Sequence, residues 1–239
     1  MRYVKHTLAA TALLAFAAGP ALAYDEGTWL FRGGVGTIQP KSDNYEENLD
    51  GATVGIDVAN GTSMTLTGTY MFSRNWALDV LASLPFTHDI DAVISEPGLG
   101  TASVRIGETK HLPPTVSIQY HFAPDAKFQP YFGAGINWTT FFDSKLTGEF
   151  VAFMADEGLD VDKLKLDDSL GLALQVGGDW QISDQWLLNI DVRYIDIETD
   201  TAMVGTGLDE THPDERVALD IGTVEIDPWI YSINLGYRF

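Results

Sequence analysis

Asp227-Pro-Trp-Ile-Tyr-Ser-Ile-Asn-Leu-Gly-Tyr-Arg-Phe239, the final stretch of the sequence, alternates in steps of two. Trp229, Tyr231, Ile233, Leu235, Tyr237 and Phe239 share one face, and Ile230, Ser232, Asn234, Gly236 and Arg238 share the other. Successive side chains of a β-strand leave the backbone on opposite sides, so this period is a strand's. The first face is wholly apolar and carries aromatics at both ends. That suits a strand facing lipid between two interfacial belts better than one packed on a soluble core. The stretch reads as the closing strand of a membrane β-barrel, against the competing reading of a last strand in a secreted β-sandwich.

Seven further segments follow the same rule. Trp29, Phe31 and Val35 oppose Arg32, Gly34 and Gly36, and Met64, Leu66, Tyr70 and Phe72 oppose Thr65, Thr67 and Thr69. The most regular segment sets Trp76, Leu78, Val80, Ala82, Leu84 and Phe86 against Ala77, Asp79, Leu81, Ser83 and Pro85. Alternation returns over 115–122, 128–142, 170–180 and 186–195. Tight turns fall at 73–75, 123–127 and 183–185, and long stretches at 41–60, 89–110, 143–168 and 196–225. Long and short connections therefore alternate, which puts every short turn at one end and every long loop at the other. A sandwich has no reason to keep that order. The expected fold is all-β: an eight-stranded antiparallel up-and-down transmembrane β-barrel with periplasmic turns and extracellular loops. Helical spacing within 150–166 places a short helix in the third of those loops.

Arg2 and Lys5 precede an apolar run over 7–18 and the triplet Ala21-Leu22-Ala23. This is the pattern of a secretory signal peptide, 1–23, cut between Ala23 and Tyr24 and leaving an outer-membrane barrel domain over 24–239. No later apolar run is long enough for a membrane helix. Basic residues number 14 against 34 acidic ones, a net charge of −20, so nucleic acid is excluded as a partner held by charge. Cysteine is absent. An exported fold without disulfides has to be held by closure of its backbone ladder. Most of the acidic residues lie in the long stretches, where they keep extracellular loops solvated or meet lipopolysaccharide through bridging divalent cations. Asp160 and Asp162 lack the glycine and closing glutamate of a calcium loop, and the sequence calls for no metal and no cofactor.

The blocks from Asn75 to His88, Leu112 to Phe122, Gln129 to Trp138 and Asp191 to Asp196, with Asp227-Pro-Trp229, together resemble the OmpW family of outer-membrane proteins. The resemblance spans nearly all of 24–239 but not the long loops. It implies an outer-membrane location in a Gram-negative-type bacterium and a narrow barrel with an apolar upper cavity. Through that cavity small hydrophobic molecules would cross the outer leaflet and leave sideways into the membrane. Surrounding partners would be outer-membrane lipid and lipopolysaccharide, with the assembly machinery engaging the strand that ends in Phe239. In this family a proline in the third strand is linked to the sideways opening, and Pro85 in Leu84-Pro85-Phe86 matches that position.

The residues support such a path on their own terms. Eight strands leave room only for side chains or one small ligand. The inward positions near the periplasmic end are Arg32, Asp79, Asp179, Asp191 and Arg238, with Arg193 higher up. Opposite charges in a narrow lumen should pair into a plug, because an unpaired one is costly there. Higher inward positions carry Ile38, Leu81, Phe141, Ile195 and Ile230, either a vestibule for a hydrophobic solute or the filling of a small barrel. Pro85 lacks the N–H of a ladder donor, and at ~3.3 Å per residue and a tilt near ~40° it sits roughly 20 Å above Trp76. It marks either an exit at the outer leaflet or a harmless bulge. Two other classes compete with uptake. One is an adhesive barrel whose loops serve as phage or bacteriocin receptor. The other is a barrel enzyme acting on lipid, with His88 and His111 at the mouth; no nucleophile motif accompanies them, and such histidines read as solvated loop residues. No catalytic residue is assigned.

Overall fold

The structure, a computed structural model, describes residues 24–41, 45–49, 52–98, 100–209 and 211–239. The expected signal peptide, 1–23, lies outside them. In chain order the strands begin with β1 (Trp29–Gln39), β2 (Tyr45–Leu49), β3 (Ala52–Val58), β4 (Gly61–Met71) and β5 (Trp76–Ser83). Next come β6 (Phe86–Glu96), β7 (Gly100–Leu112), β8 (Thr115–His121) and β9 (Phe128–Leu146), then helix α1 (Gly148–Asp156). The chain ends with β10 (Asp160–Leu166), β11 (Ser169–Gln181), β12 (Trp186–Ile195), β13 (Glu198–Thr206), β14 (Val217–Glu225) and β15 (Trp229–Arg238).

Eight of these strands close into a ring in the order β1, β4, β5, β8, β9, β11, β12, β15 and back to β1, every pair antiparallel. Closure leaves the ring without an unpaired edge, which is the condition for crossing lipid in strands. The alternation of the sequence is the alternation of the wall. On β15, Trp229, Tyr231, Ile233 and Leu235 are exposed while Ile230, Ser232 and Asn234 are buried. Aromatic pairs line up across neighbouring strands at the end that carries the short turns. Trp29 lies beside Tyr70, Trp76 beside Tyr120 and Trp186 beside Tyr237, with ring centroids 4.8, 4.9 and 5.0 Å apart. Such rings sit at a membrane–water boundary, and Trp229 against Tyr194 marks the opposite end of the band.

Above the ring the structure departs from the expected loops. The four long stretches fold largely as β-structure: β2, β3, β6 and β7 continue the sheet from the upper half of β9, and β10, β13 and β14 form a second sheet of three strands. The two sheets face each other and carry the barrel upward. Helix α1 is shorter than the expected 150–166 span. It starts after Thr147, whose Oγ1 accepts a hydrogen bond from the Phe150 N–H at 3.3 Å, and residues beyond Gly158 pass into β10. Val161 and Leu164 are buried there, so the apolar spacing that resembled a helix belongs to a strand with a bulge between Val161 and Lys163.

The regular segment that starts at Trp76 also breaks. Leu84 and Pro85 are both exposed and Phe86 is buried, so Phe86 faces inward and not outward as the alternation predicts. The reason is visible in the register. Below the break β5 meets β8 up to Leu81 opposite Thr115, and above it β6 meets β7 from Phe86 opposite His111. Four residues, 82–85, stand against three, 112–114, with no cross-strand pairs between them. That single extra residue is a bulge, and a bulge reverses the inside–outside phase of everything after it.

Candidate functional site

At the foot of the barrel the inward charges are joined. Arg32 on β1 grips Asp179 on β11 with two parallel hydrogen bonds, Nε to Oδ1 at 2.9 Å and Nη2 to Oδ2 at 2.7 Å. Asp79 lies between two guanidinium groups, 3.7 Å from Arg32 and 3.3 Å from Arg193. Arg193 also reaches Asp191, at 3.5 Å. All five side chains are buried. Neutral groups occupy the remaining lone pairs: Tyr24 donates to Asp179 at 3.0 Å, Tyr131 to Asp191 at 2.9 Å and Asn189 to Asp179 at 2.8 Å. Bidentate pairing with neutral donors around it is the arrangement that makes buried charge tolerable. The void left in this layer is about 10 Å³, room for about one water molecule. Arg238, expected in the same group, is half-buried at the end of β15.

Above the charges lies an apolar layer. Ile38, Ile195 and Ile230 are buried in one cluster with Phe86, Ile197 and Val224, and Phe141 packs against it. Leu81, placed at the same height by sequence, borders the charged layer below. These residues fill the lumen more than they line an opening.

The opening is one storey higher, between the two upper sheets. Its walls include Ile90 of β6, Ile106 of β7, Leu164 of β10 and Met203 of β13, and its lower end holds Phe141, His88 and His111. Free space inside is about 30 Å³. Ile56, Ile106, Met203 and Ile221 also border a wide mouth of about 700 Å³ open to the outside, with Phe150 of α1 on its rim. Here sequence reasoning missed most of the residues. The visible signal was Phe86, His88 and Ile90 alternating with Thr87, Asp89 and Asp91 inside a stretch that otherwise reads as a loop.

His88 and His111 correct a second expectation, since neither is a solvated loop residue: each is 1% exposed. Their rings stack face to face with centroids 4.8 Å apart and planes 7° from parallel. Phe86 continues the stack 5.8 Å beyond His111. Both histidines sit on β6 and β7, above the ring. Lys110 and Asp143, paired at 2.6 Å on the outer surface beside them, mark that height as outside the hydrocarbon, where exposed charges are not sustained. Burial pushes the His111 imidazole down to about 3, and the neighbouring His88 ring adds to the effect. Burial lowers His88 as well, against the hydrogen bond with Ala59. Both rings are therefore neutral at neutral pH.

The break in the wall runs downward from this floor, from the Phe86–His111 pair to the Leu81–Thr115 pair, and so reaches the lipid-facing wall below. Ala82–Pro85 runs along one side of the seam and Leu112–Pro114 along the other. Away from the seam both lips are anchored: the Leu84 N–H donates to Met64 at 2.9 Å, and Pro114 accepts from the Trp138 N–H at 3.0 Å. Three seam residues are prolines, 85, 113 and 114. Each prolyl nitrogen has no hydrogen to leave unsatisfied, which lowers the penalty of an unpaired stretch beside lipid.

Comparison with known proteins agrees with this geometry. The sequence model of the OmpW family matches residues 25–239. Outer membrane protein W of Vibrio cholerae is 39% identical over 239 residues, covering 99% of this chain and 100% of that protein. The crystal structure of the outer membrane protein OprG from Pseudomonas aeruginosa superposes with a TM-score of 0.71 at 32% identity, over 92% of this chain and 99% of that one. A more distant relative, the dibenzothiophene metabolism operon protein PahQ of Pseudomonas aeruginosa, is 24% identical over 99% of this chain and 100% of its own length. With the family pattern running through the barrel and both of its upper sheets, the chain belongs to the OmpW family and is an outer-membrane β-barrel.

Proposed function

We propose that this barrel passes small hydrophobic molecules from outside the cell into the outer membrane by passive uptake. A solute enters the wide mouth, settles in the apolar cavity and leaves sideways through the proline-lined seam that runs down from Phe86 and His111. The observation that carries the reading is that the seam begins at the cavity floor and runs down the lipid-facing wall, above a layer of paired charges that serves as a plug on the periplasmic side. Apolar area stays out of water on both sides of such an exit, so little free energy separates the cavity from the bilayer. The relative named for a dibenzothiophene metabolism operon supports the same reading, since dibenzothiophene is an apolar aromatic molecule. The test is whole-cell uptake of a labelled hydrocarbon by wild type and a Pro85→Ala variant, in cells lacking other copies of the family. Alanine restores a donor at the bulge and uptake falls toward that of cells without the protein. Unchanged uptake in a correctly folded variant counts against the sideways route.

A further inference from the structure

The apolar cavity holds hydrogen-bonding atoms that its own walls do not use. Its polar side chains are His88, Thr109, His111 and Thr201. The two threonines are engaged: Thr109 with Ser144 at 2.8 Å, and Thr201 donating to the Gly222 carbonyl at 2.7 Å. The histidines are not satisfied. Nδ1 of His88 lies 2.6 Å from the Ala59 carbonyl oxygen. A carbonyl only accepts, so that nitrogen carries the proton and Nε2 is left as an acceptor. Nε2 of His88 and both ring nitrogens of His111 have no hydrogen-bond partner among the described residues. A neutral imidazole has one donor and one acceptor, so His111 presents one of each. Buried polar atoms without a partner call for one, and these three belong to two stacked rings that line a single apolar cavity. Loose packing does not explain them, because the ring of His88 is seated against Gly61, the residue that makes room for it.

We infer that the stacked pair His88 and His111 recognises a single hydroxyl group on an otherwise apolar molecule. The hydroxyl hydrogen is donated to Nε2 of His88 and its oxygen accepts from the ring N–H of His111. The apolar remainder extends past Ile106 and Met203 toward the mouth. This deepens the uptake reading and rests on it: the preferred solutes are small alcohols, aliphatic or aromatic, ahead of plain hydrocarbons of the same shape. Neutral rings suit a neutral hydroxyl, and the small free space beside them suits a head group while the mouth accommodates a tail.

The probes are 1-octanol and n-nonane, which differ by a methyl group in place of the hydroxyl. Each is titrated into the full-length protein in lipid nanodiscs with 15N-labelled histidine. Octanol is expected to shift the ring nitrogens of both residues and to bind about 5–100-fold more tightly than nonane, the worth of two net hydrogen bonds. His111→Phe abolishes the preference, and His111→Gln, which keeps a donor and an acceptor, retains it. If a variant fails to fold, the ring shifts of the wild type alone decide the matter. Ring nitrogens that stay put as octanol saturates, as they would around a permanently trapped water, overturn the inference, and so does equal affinity for both probes. Cellular uptake separates this from the broader reading. Pro85-dependent nonane entry without an octanol preference removes only the hydroxyl site, whereas octanol binding at the histidines without entry of either probe removes the uptake route and leaves the site.

Discussion

Leu81 and Phe86 both face the interior of the barrel, five positions apart on a stretch of chain where an unbroken strand would set them on opposite walls. The phase is reversed by one extra residue at Leu84–Pro85, and the reversal brings Phe86 onto His111 at the floor of the cavity. One bulge thus both parts the wall and turns an aromatic ring inward beside the parting.

Deleting Pro85 removes the excess of four residues over three while leaving Phe86 on its inward phase, since Phe86 then follows Leu84 directly. The β5–β8 and β6–β7 ladders come into one register, with only Pro113 and Pro114 unable to donate. We expect the deletion to slow hydrogen exchange at the backbone amides flanking the seam and to lower hydrocarbon uptake. Amide exchange by NMR in lipid reads the first, and whole-cell uptake the second.

The charged layer responds to single changes more than to paired ones. Asp179→Leu strips Arg32 of its two short hydrogen bonds in a buried site. Breaking a buried pair from one side destabilises by roughly 3–5 kcal/mol. Arg32→Met combined with Asp179→Leu removes one charge of each sign, leaves Arg193 with Asp79 and Asp191, and recovers a substantial part of that loss. Urea unfolding in detergent, followed by gel mobility of the folded barrel, measures both. A double variant as unstable as the single one would show that the pair is not coupled.

Gly61 supports the histidine stack by having no side chain. A Cβ at this position would lie 2.7 Å from Cε1 of His88 and 2.9 Å from the carbonyl oxygen of Thr87. Gly61→Ala therefore pushes the imidazole off its place against His111 and destabilises by roughly 1–3 kcal/mol, the usual penalty of overpacking. Thermal unfolding measures the destabilisation, and the 15N resonances of His88 report the displacement.

Acid destabilises the upper storey through His111. Its folded value of about 3 is below the ordinary histidine value of 6.5. Between those values the unfolded chain holds a proton that the folded chain refuses, so stability rises with pH across the window. The contribution of His111 is fully present above about pH 6.5 and is lost as pH falls toward 3. Histidine 15N NMR is expected to show the His111 ring neutral at pH 5; a charged ring there would contradict its seat in the cavity.

How much of this was legible in the sequence follows from where each residue meets its solvent. Trp76, Leu78 and Val80 face lipid and tolerate nothing polar, so the ring strands stand out by alternation. Arg32, Asp79, Asp179, Asp191 and Arg193 are equally plain, because a charge on the inward phase of a lipid-flanked strand has only other inward charges for company. The upper storey carries no lipid face. Its strands meet water outside and each other inside, their outer positions are filled by acidic and small residues, and the pattern reads as a loop. Pro85 is conspicuous in the sequence, yet the opposing lip only becomes apparent once the register sets Pro113 and Pro114 across from it. Nothing in a linear reading brings His88 over His111.

The central claim is that solutes leave through the seam, and holding the seam shut tests it most directly. The chain has no cysteine, so Leu84→Cys and Pro114→Cys, both at exposed positions on opposite lips, can be joined specifically by a short cleavable thiol cross-linker. Uptake of n-nonane is then measured in cells before linking, after linking and after cleavage. The account predicts a fall to the level of cells lacking the protein, followed by recovery on cleavage. Uptake that continues undiminished through a fully cross-linked barrel would contradict it.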